Sequence, residues 1–297
     1  MTTYPVYPPL VTPFTREGTV DTDALASLVD ALETRGVDGV VPCGTTGEFA
    51  SLTDAEHESV VETVADAASG PVVAGVADTS VAGVRAKVET AAAAGCDGVL
   101  VTGPYFHGEN RTGGTTEFLR RAVGDAPLDV YLYNIPVYVG DQLDPATVVT
   151  LAEEGVASGV KDTSGDLDYL LALDRETPAE FELLCGYDSL LVPALVTGAA
   201  GGIIVLANVV PEVFAAATDA LVAGDRQRAM QVSQTAIAPL FEQCAAHGFA
   251  SATKVGAVAR GFMKSTAVRP PLVELSADTR SEIADAVDEA LAVVDAD

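Results

Sequence analysis

Residues 129–162 read DVYLYNIPVYVGDQLDPATVVTLAEEGVASGVKD, and this stretch contains a strand, a helix and a second strand. Apolar and β-branched residues dominate Asp129–Asn134 and Gly159–Asp162, which is typical of short buried strands. Between them, Pro145–Glu153 has the longer spacing of a helix. A strand, a crossover helix and another strand in this order indicate parallel pairing.

The same alternation extends along the chain in both directions. Eight strands are predicted, at Val6–Val11, Gly39–Cys43, Val72–Val76, Gly98–Thr102, Asp129–Asn134, Gly159–Asp162, Glu182–Cys185 and Gly202–Leu206. A helix is predicted after each strand, at Thr22–Thr34, Asp54–Ala68, Val81–Ala94, Thr115–Val123, Pro145–Glu153, Leu167–Arg175, Ser189–Val196 and Pro211–Leu221. This repetition predicts an α/β protein with a parallel sheet.

Eight strand–helix units close into a (β/α)8 TIM barrel, which we assign to residues 1–224. An open doubly wound sheet is the alternative, but no G-x-G-x-x-G motif follows the first strand. Residues 225–297 are predicted to form a C-terminal helical domain. Its three helices are predicted at Arg226–Ala246, Ser251–Met263 and Ala277–Val294.

The chain is strongly acidic, with 43 Asp and Glu against 16 Lys and Arg and a net charge of −27. This charge argues against nucleic acid and anionic membranes as partners, because phosphate groups would be repelled over most of the surface. Uniform acidity with few lysines favours a halophilic source, where concentrated salt screens the self-repulsion. An ordinary acidic cytosolic protein is the alternative.

The sequence also carries expectations about location. No apolar run approaches the roughly 20 residues that a membrane span needs. The start of the chain has no basic segment followed by an apolar stretch, so export is not expected. The four cysteines form no C-x-x-C pair and lie mostly in apolar runs, which indicates small buried residues in a reducing compartment. We therefore expect a cytoplasmic protein.

Lys161 is one of only four lysines, and it lies at the end of the sixth predicted strand. A lysine amine attacks a carbonyl only when it is unprotonated, and an apolar pocket lowers the pKa of an amine toward that form. Lys161 is therefore a candidate for Schiff-base formation. A structural lysine paired with Asp162 or another neighbour is the alternative interpretation.

Two further polar clusters follow predicted strands, and catalytic groups of a barrel project from the carboxyl ends of its strands. Gly44-Thr45-Thr46-Gly47-Glu48 follows the second strand, and Tyr133-Asn134-Ile135-Pro136 ends the fifth. The glycines allow a tight turn whose N–H groups can bind a carboxylate, and Tyr133 can transfer protons near an imine. Taken together with Lys161, these residues indicate imine chemistry on a 2-oxo acid.

These motifs resemble the signatures of the pyruvate-dependent class I aldolases, a family that includes dihydrodipicolinate synthase and N-acetylneuraminate lyase. The resemblance covers nearly the whole chain, from Pro8 to Ile203. It implies a barrel with a C-terminal helical domain, usually assembled as a homotetramer. It also implies that Lys161 forms the Schiff base, that Tyr133 transfers protons, and that Thr45 links Tyr133 to solvent or to a partner.

Further site residues follow from the resemblance. The implied substrate contacts are Thr46, Gly47, Gly186, Asp188, Ser189 and Val205. Possible contacts to a phosphate or to sugar hydroxyls are His107, Arg111 and Tyr138. The covalent imine replaces a cofactor, and the three histidines show no metal-ligand spacing, so neither a cofactor nor a metal is expected.

The choice of reaction depends on departures from the family patterns. The synthase usually has a second tyrosine where this chain has Phe106, and an arginine where it has Tyr138. The sialic acid lyase usually has a glutamate where this chain has Ser189. These departures favour cleavage of 2-keto-3-deoxygluconate or its 6-phosphate to pyruvate and glyceraldehyde or its phosphate, in an Entner-Doudoroff type of pathway. Dihydrodipicolinate synthase, or another 2-oxo acid lyase or dehydratase of the family, is the alternative.

Two functions outside this class fit the sequence less well. A phosphate-binding isomerase barrel would need a carboxylate base and a glycine-rich loop after the last two strands, and neither is evident. A non-catalytic sensor would be expected to lose Lys161 or Tyr133. Three cations of the C-terminal region share no tight helical face and are interpreted as surface charges, namely Lys254, Arg260 and Lys264.

Overall fold

Parallel strands form the centre of the molecule in a computed structural model that describes residues 3–106 and 113–295. The seven strands of this described part are β1 (Val6–Tyr7), β2 (Val73–Gly75), β3 (Gly98–Thr102), β4 (Asp129–Asn134), β5 (Gly159–Asp162), β6 (Glu182–Cys185) and β7 (Gly201–Ile203). They pair in the order β1-β7-β6-β5-β4-β3-β2, so each strand from β2 to β7 lies beside its neighbour in sequence. The sheet curls into the predicted TIM-barrel fold.

The second predicted strand, at residues 39–43, closes the gap between β1 and β2. Val40 forms a parallel bridge with Val72, and Val41 forms one with Pro9. The prediction of a full strand was nevertheless wrong, because pairing is confined to these two isolated bridges. Pro42 has no N–H to donate, and Cys43 has a positive φ of 56°, so the ladder cannot continue.

Three other strands are shorter than predicted, and β2 loses one residue at each end, Val72 and Val76. β1 ends at Tyr7 because the next two residues are prolines, which interrupt regular pairing. β7 ends at Ile203, and Val205–Asn208 forms a short 3-10 helix instead of extending the strand. The changes in β1 and β7 leave irregular backbone at the carboxyl end of the barrel, where a substrate can approach it.

Helices surround the strands in the predicted order. The helices up to residue 222 are α1 (Thr22–Glu33), α2 (Asp54–Ala67), α3 (Val81–Ala94), α4 (Gly114–Val123), α5 (Pro136–Val139), α6 (Pro145–Glu153), α7 (Leu167–Glu176), α8 (Leu191–Val196) and α9 (Pro211–Val222). α2 shows how local sequence sets a boundary, because Thr53 and Glu56 form a reciprocal capping box at its start. Short α5 was not predicted; it follows β4 directly.

The C-terminal region consists of α10 (Arg226–Val232), α11 (Ala238–His247), α12 (Phe249–Ala259) and α13 (Ala277–Asp295). A π-helical turn at Ser233–Ile237 joins α10 to α11, so the single helix predicted there is continuous but irregular. α13 packs against α9, α11 and α12, and α12 packs against the 3-10 turn after β7. The domain boundary at residue 224 stays a prediction, since α9 and α10 pack closely across it.

The apolar core has two parts. The larger part fills the space between the strands and the surrounding helices. The smaller part lies inside the barrel and consists of Val41, Val73, Leu100, Tyr133, Ile135, Leu184 and Ile203. Within the described residues, no helix combines the length and the apolar character that crossing a membrane requires.

Candidate active site

Lys161 and Tyr133 lie side by side on β5 and β4, where they are register partners. Both are buried, with 3% and 6% of their surface exposed, and Lys161 Nζ lies 4.2 Å from the centre of the Tyr133 ring. Lys161 also pairs with Leu184, a member of the interior cluster, so its side chain points into the barrel. A nucleophilic amine and a phenol that can transfer protons therefore share the barrel interior.

Gly186 makes room for the Lys161 side chain. A β-carbon at this position would lie 2.7 Å from Lys161 Cε and would overlap Thr163 Oγ1. Any larger residue would therefore displace the amine or the hydroxyl. The structure thus gives Gly186, predicted as a substrate contact, a role in shaping the site.

Thr163 is a site residue that the sequence interpretation missed. Its buried Oγ1 has no hydrogen-bond partner within the described residues, although buried hydroxyls are usually paired. The strand period of two offered a signal, because Thr163 follows Lys161 by two residues and therefore faces the same side. This hydroxyl and Lys161 Cε both lie next to Gly186.

The turn at Thr45–Gly47 lies beside β1. Thr46 and Gly47 are buried and Thr45 is half-buried. Thr12 Oγ1 donates a 2.7 Å hydrogen bond to the carbonyl oxygen of Gly47. A β-carbon on Gly47 would lie 2.8 Å from the carbonyl oxygen of Leu10, so glycine is required for this close packing.

Glu48 ends this turn and forms a buried ion pair with Lys254 of α12. Both side chains are fully inaccessible to solvent. The prediction that Lys254 is a surface charge was therefore wrong. The prediction also fails for Arg260, whose side chain is 14% exposed and bonds to Glu212 at 2.5 Å. Charge spacing along one helix could not reveal these partners, since Glu48 lies 206 residues from Lys254.

Asp188 connects the chain after β6 to the chain after β7. It is fully buried, and its Oδ1 accepts a 2.6 Å hydrogen bond from the backbone N–H of Leu206. Oδ2 has no hydrogen-bond partner within the described residues. Burial raises the pKa of Asp188 to about 6. Ser189 and Val205 beside it are half-buried, and the substrate contacts predicted for all three residues stay predictions.

Asn134 and Asp162 hold β4 and β5 together on the opposite face of the strands. Asn134 Nδ2 donates to Asp162 Oδ1 at 2.6 Å, and Asn134 Oδ1 accepts from the N–H of Leu143 at 2.8 Å. Ser164 Oγ donates to Asp162 Oδ2 at 2.8 Å. Burial raises the pKa of Asp162. This network faces away from Lys161, because successive strand residues alternate sides.

Three residues were predicted as possible contacts to a phosphate or a sugar. Tyr138 lies on α5 and is 62% exposed. Partial burial, and to a smaller extent the Tyr133 phenol, raise the pKa of Tyr138. His107 and Arg111 lie outside the described residues.

The parts of the chain that the structure describes offer no site for a metal ion. No group of three or more His, Cys, Asp or Glu side chains there has an arrangement that could hold a metal ion. All four cysteines are buried and unpaired with one another. Catalysis without a cofactor stays a prediction.

The sequence of this chain is similar to those of known proteins over most of its length. The model of the "Dihydrodipicolinate synthetase family" matches residues 3–290. A 4-hydroxy-tetrahydrodipicolinate synthase of Methanosarcina barkeri is 34% identical over 280 residues, covering 94% of this chain and 95% of the relative. A DapA-like lyase of Halobacterium salinarum is 36% identical over 281 residues, covering 94% and 91%.

Solved structures with a similar fold come from the same family as the sequence relatives. The 4-hydroxy-tetrahydrodipicolinate synthase of Methylacidiphilum fumariolicum is 28% identical and superimposes with a TM-score of 0.92, covering 99% of this chain and 98% of that one. YagE of Escherichia coli, solved in complex with pyruvate, is also 28% identical, with a TM-score of 0.90 and coverage of 97% and 98%. The chain thus belongs to the dihydrodipicolinate synthetase family and is a pyruvate-dependent lyase of the lysine Schiff-base class.

Proposed function

We propose that Lys161 forms the Schiff base with pyruvate and that Tyr133 transfers the protons of the reaction. The observation that carries this proposal is the register of β4 and β5, which brings the amine to 4.2 Å from the phenol ring inside the barrel. The turn at Thr45–Gly47 offers its hydroxyls and N–H groups to the pyruvate carboxylate. Thr45 links Tyr133 to solvent or to a partner subunit.

The chemistry follows from these roles. The amine of Lys161 attacks the C2 ketone, and the carbinolamine loses water with Tyr133 as the proton carrier. The resulting cationic imine accepts electrons from the C3 position. In the cleavage direction, Tyr133 removes the proton of the C4 hydroxyl, the C3–C4 bond breaks and an aldehyde leaves. The enamine is then protonated at C3, and hydrolysis of the imine releases pyruvate and regenerates the amine.

Aspartate semialdehyde is the aldehyde that the relatives support best. The Methanosarcina barkeri protein, which spans nearly the same length as this chain, carries the name of the synthase. A 4-hydroxy-tetrahydrodipicolinate synthase of Natronomonas pharaonis is 38% identical over 230 residues, covering 76% of this chain and 78% of the relative. The first candidate reaction is therefore condensation of aspartate semialdehyde with the enamine of pyruvate.

Cleavage of 2-keto-3-deoxygluconate or its 6-phosphate is the second candidate. Tyr138 favours it, because a phenol on α5, directly after the strand of Tyr133, suits a hydroxylated substrate better than a second carboxylate. Among the described residues, Lys161 and Lys254 are the only buried lysine or arginine side chains, and Lys254 is already paired with Glu48. A carboxylated aldehyde would thus find no buried cation besides the nucleophile itself in this part of the chain.

Two measurements test these proposals. First, borohydride reduction in the presence of pyruvate should attach the pyruvyl group to Lys161, as read by peptide mass spectrometry. An unmodified Lys161 would overturn the Schiff-base assignment. Second, the purified protein should be assayed for condensation of aspartate semialdehyde and for pyruvate release from the two sugar acids. High salt is used, given the net charge of −27. The reaction with the larger kcat/KM identifies the substrate.

We propose a homotetramer as the working assembly. Tyr105 and Phe106 after β3, together with Val137 and Tyr138 of α5, are exposed apolar side chains near the mouth of the barrel. Large apolar side chains at a surface are typical of contacts between subunits. Light scattering of the purified protein in high salt should give four times the chain mass of 30.4 kDa. A monomeric mass would contradict this proposal.

A further inference from the structure

The side chain of Glu48 lies in a closed pocket directly after the turn that is proposed to bind pyruvate. Its backbone has a positive φ of 58°, a conformation that residues other than glycine rarely adopt. Contacts from the surrounding chain must therefore hold it in place. Its Oε1 accepts from Lys254 Nζ, and its Oε2 accepts from the backbone N–H of Arg269 at 2.9 Å.

These contacts all come from the C-terminal region. Lys254 Nζ also donates to the carbonyl oxygen of Ala267 at 2.7 Å and lies 4.2 Å from the centre of the Phe14 ring. The guanidinium of Arg269 covers the same ring at 4.4 Å. Burial lowers the pKa of Lys254, and the Glu48 carboxylate opposes that shift.

Arg269 extends the attachment to the segment before α1, to Ser51 and to the first turn of α2. Its guanidinium donates to the carbonyl oxygen of Ser51 at 2.7 Å and to that of Gly18 at 2.6 Å. It also bonds to Glu56, and this interaction lowers the pKa of Glu56 to about 2. The segment after the turn is thus tied at several points to residues 267–269.

We propose that Lys254 is a positioning residue for 2-oxo acid binding, which holds the turn at Thr45–Gly47 through its ion pair with Glu48. The inference rests on the proposed role of that turn in binding the pyruvate carboxylate. Thr12 fixes the turn from the β1 side at the Gly47 carbonyl oxygen, and Lys254 fixes it from α12. The C-terminal helices are then part of the binding site, although none of their side chains is assigned a contact with the substrate.

The physical reason lies in what remains when the lysine is removed. Without Lys254, residue 48 loses its link to α12 and keeps only the N–H of Arg269. A carboxylate there also lacks its ion-pair partner and must be protonated or move toward water. Because Glu48 directly follows Gly47, such a movement displaces the N–H groups that face the carboxylate of pyruvate. Lys161 and Tyr133 belong to other strands, so the reaction after binding should be much less affected.

The test compares Lys254→Met, the double variant Glu48→Gln/Lys254→Met and the control Lys264→Met, which changes an exposed lysine. The pyruvate concentration that gives half-maximal borohydride trapping is measured for each, together with kcat and the KM of the aldehyde. We expect the first two variants to need about 10-fold more pyruvate, a loss typical of one charge-assisted contact. Their kcat and aldehyde KM should stay within about 2-fold of the parent, and Lys264→Met should match the parent throughout.

The double variant keeps the test valid if Lys254→Met does not fold, because removing both charges leaves no unpaired ion. A folded double variant with parental pyruvate dependence would overturn the inference and would leave the ion pair a purely stabilising role. An equal loss in kcat and in the affinity for both substrates would also overturn it. Failure of the parent protein itself to be trapped by pyruvate would instead refute the proposed function.

Discussion

Lys161 and Lys254 are both buried lysines that lie 4.2 Å from the centre of an aromatic ring, but their surroundings differ. Lys254 donates to the Glu48 carboxylate and to the Ala267 carbonyl oxygen. Lys161 Nζ has no hydrogen bond or ion pair with any residue in the described part of the chain. Thr163 and Gly186 line the space around its side chain.

The comparison shows that burial alone does not identify a nucleophilic lysine. A buried ammonium paired with a carboxylate is stabilised in its charged form, and its position is fixed by the ion pair. An amine without such a partner loses no ion pair when it gives up its proton, and its lone pair can reach a ketone. We therefore expect the same substitution to abolish imine formation at Lys161 and to leave it intact at Lys254.

Replacing each lysine by methionine gives the largest expected contrast. Lys161→Met should reduce kcat/KM by at least about 1,000-fold and abolish borohydride trapping, because no other amine is placed to form the imine. Lys254→Met should still be trapped at saturating pyruvate. Mass spectrometry of the reduced proteins checks both results. A trapped Lys161→Met protein would reverse the roles that the comparison assigns.

The hydroxyl group of Tyr133, beside Lys161, can be tested against that of Tyr131 on the same strand. Tyr133→Phe keeps the ring but removes the hydroxyl, so we expect about a 100-fold loss in kcat from the missing proton transfer. Tyr131→Phe is the matched control, since Tyr131 lies on the same strand and donates to Glu182 at 2.7 Å outside the lysine site. Steady-state rates of both variants decide the matter. Equal losses would show that the Tyr133 hydroxyl has no special role.

The free space around Lys161 can be tested at Gly186. Gly186→Ala should lower kcat by about 10-fold through displacement of the lysine side chain, and should reduce the free energy of unfolding by about 1–3 kcal/mol. Gly114→Ala is the control, because a β-carbon there meets nothing within 4 Å. Rates and urea unfolding curves are measured for both. An unaffected Gly186→Ala enzyme would show that this space is not needed.

The buried carboxyl group of Asp188 should make the stability of the protein depend on pH. The pKa of Asp188 in the folded protein is about 6, against an ordinary value of 3.8. Because the folded state holds this proton more tightly, its contribution to stability is greatest below about pH 4 and is lost as the pH rises through 6. The loss amounts to about 3 kcal/mol.

Asp188→Asn keeps the oxygen that accepts from Leu206 but cannot titrate. Its free energy of unfolding should therefore lack that part of the pH dependence, with little change in kcat. Urea unfolding at pH 4 and pH 7 in the same salt measures the difference between the variant and the parent. A constant difference at both pH values would contradict the raised pKa of Asp188.

The four central strands were predictable from the sequence because they are buried between helices. The bounds predicted for β3, β4, β5 and β6 agree with the structure, since each has apolar residues at its centre and is largely buried between helices. The failure at residues 39–43 has a local cause, because the run contains Pro42 and turns at Cys43. Apolar composition indicates burial there, but it does not guarantee a paired strand.

The sequence by itself determined the parallel barrel and the meeting of Lys161 with Tyr133. Both follow from the order of strands and helices, because the carboxyl ends of neighbouring parallel strands must lie together. Only the tertiary structure decided that Lys254 pairs with Glu48 and that Asp188 is buried against the N–H of Leu206. These facts depend on contacts between residues far apart in the chain, and the period and charge of a local segment carry no information about such partners.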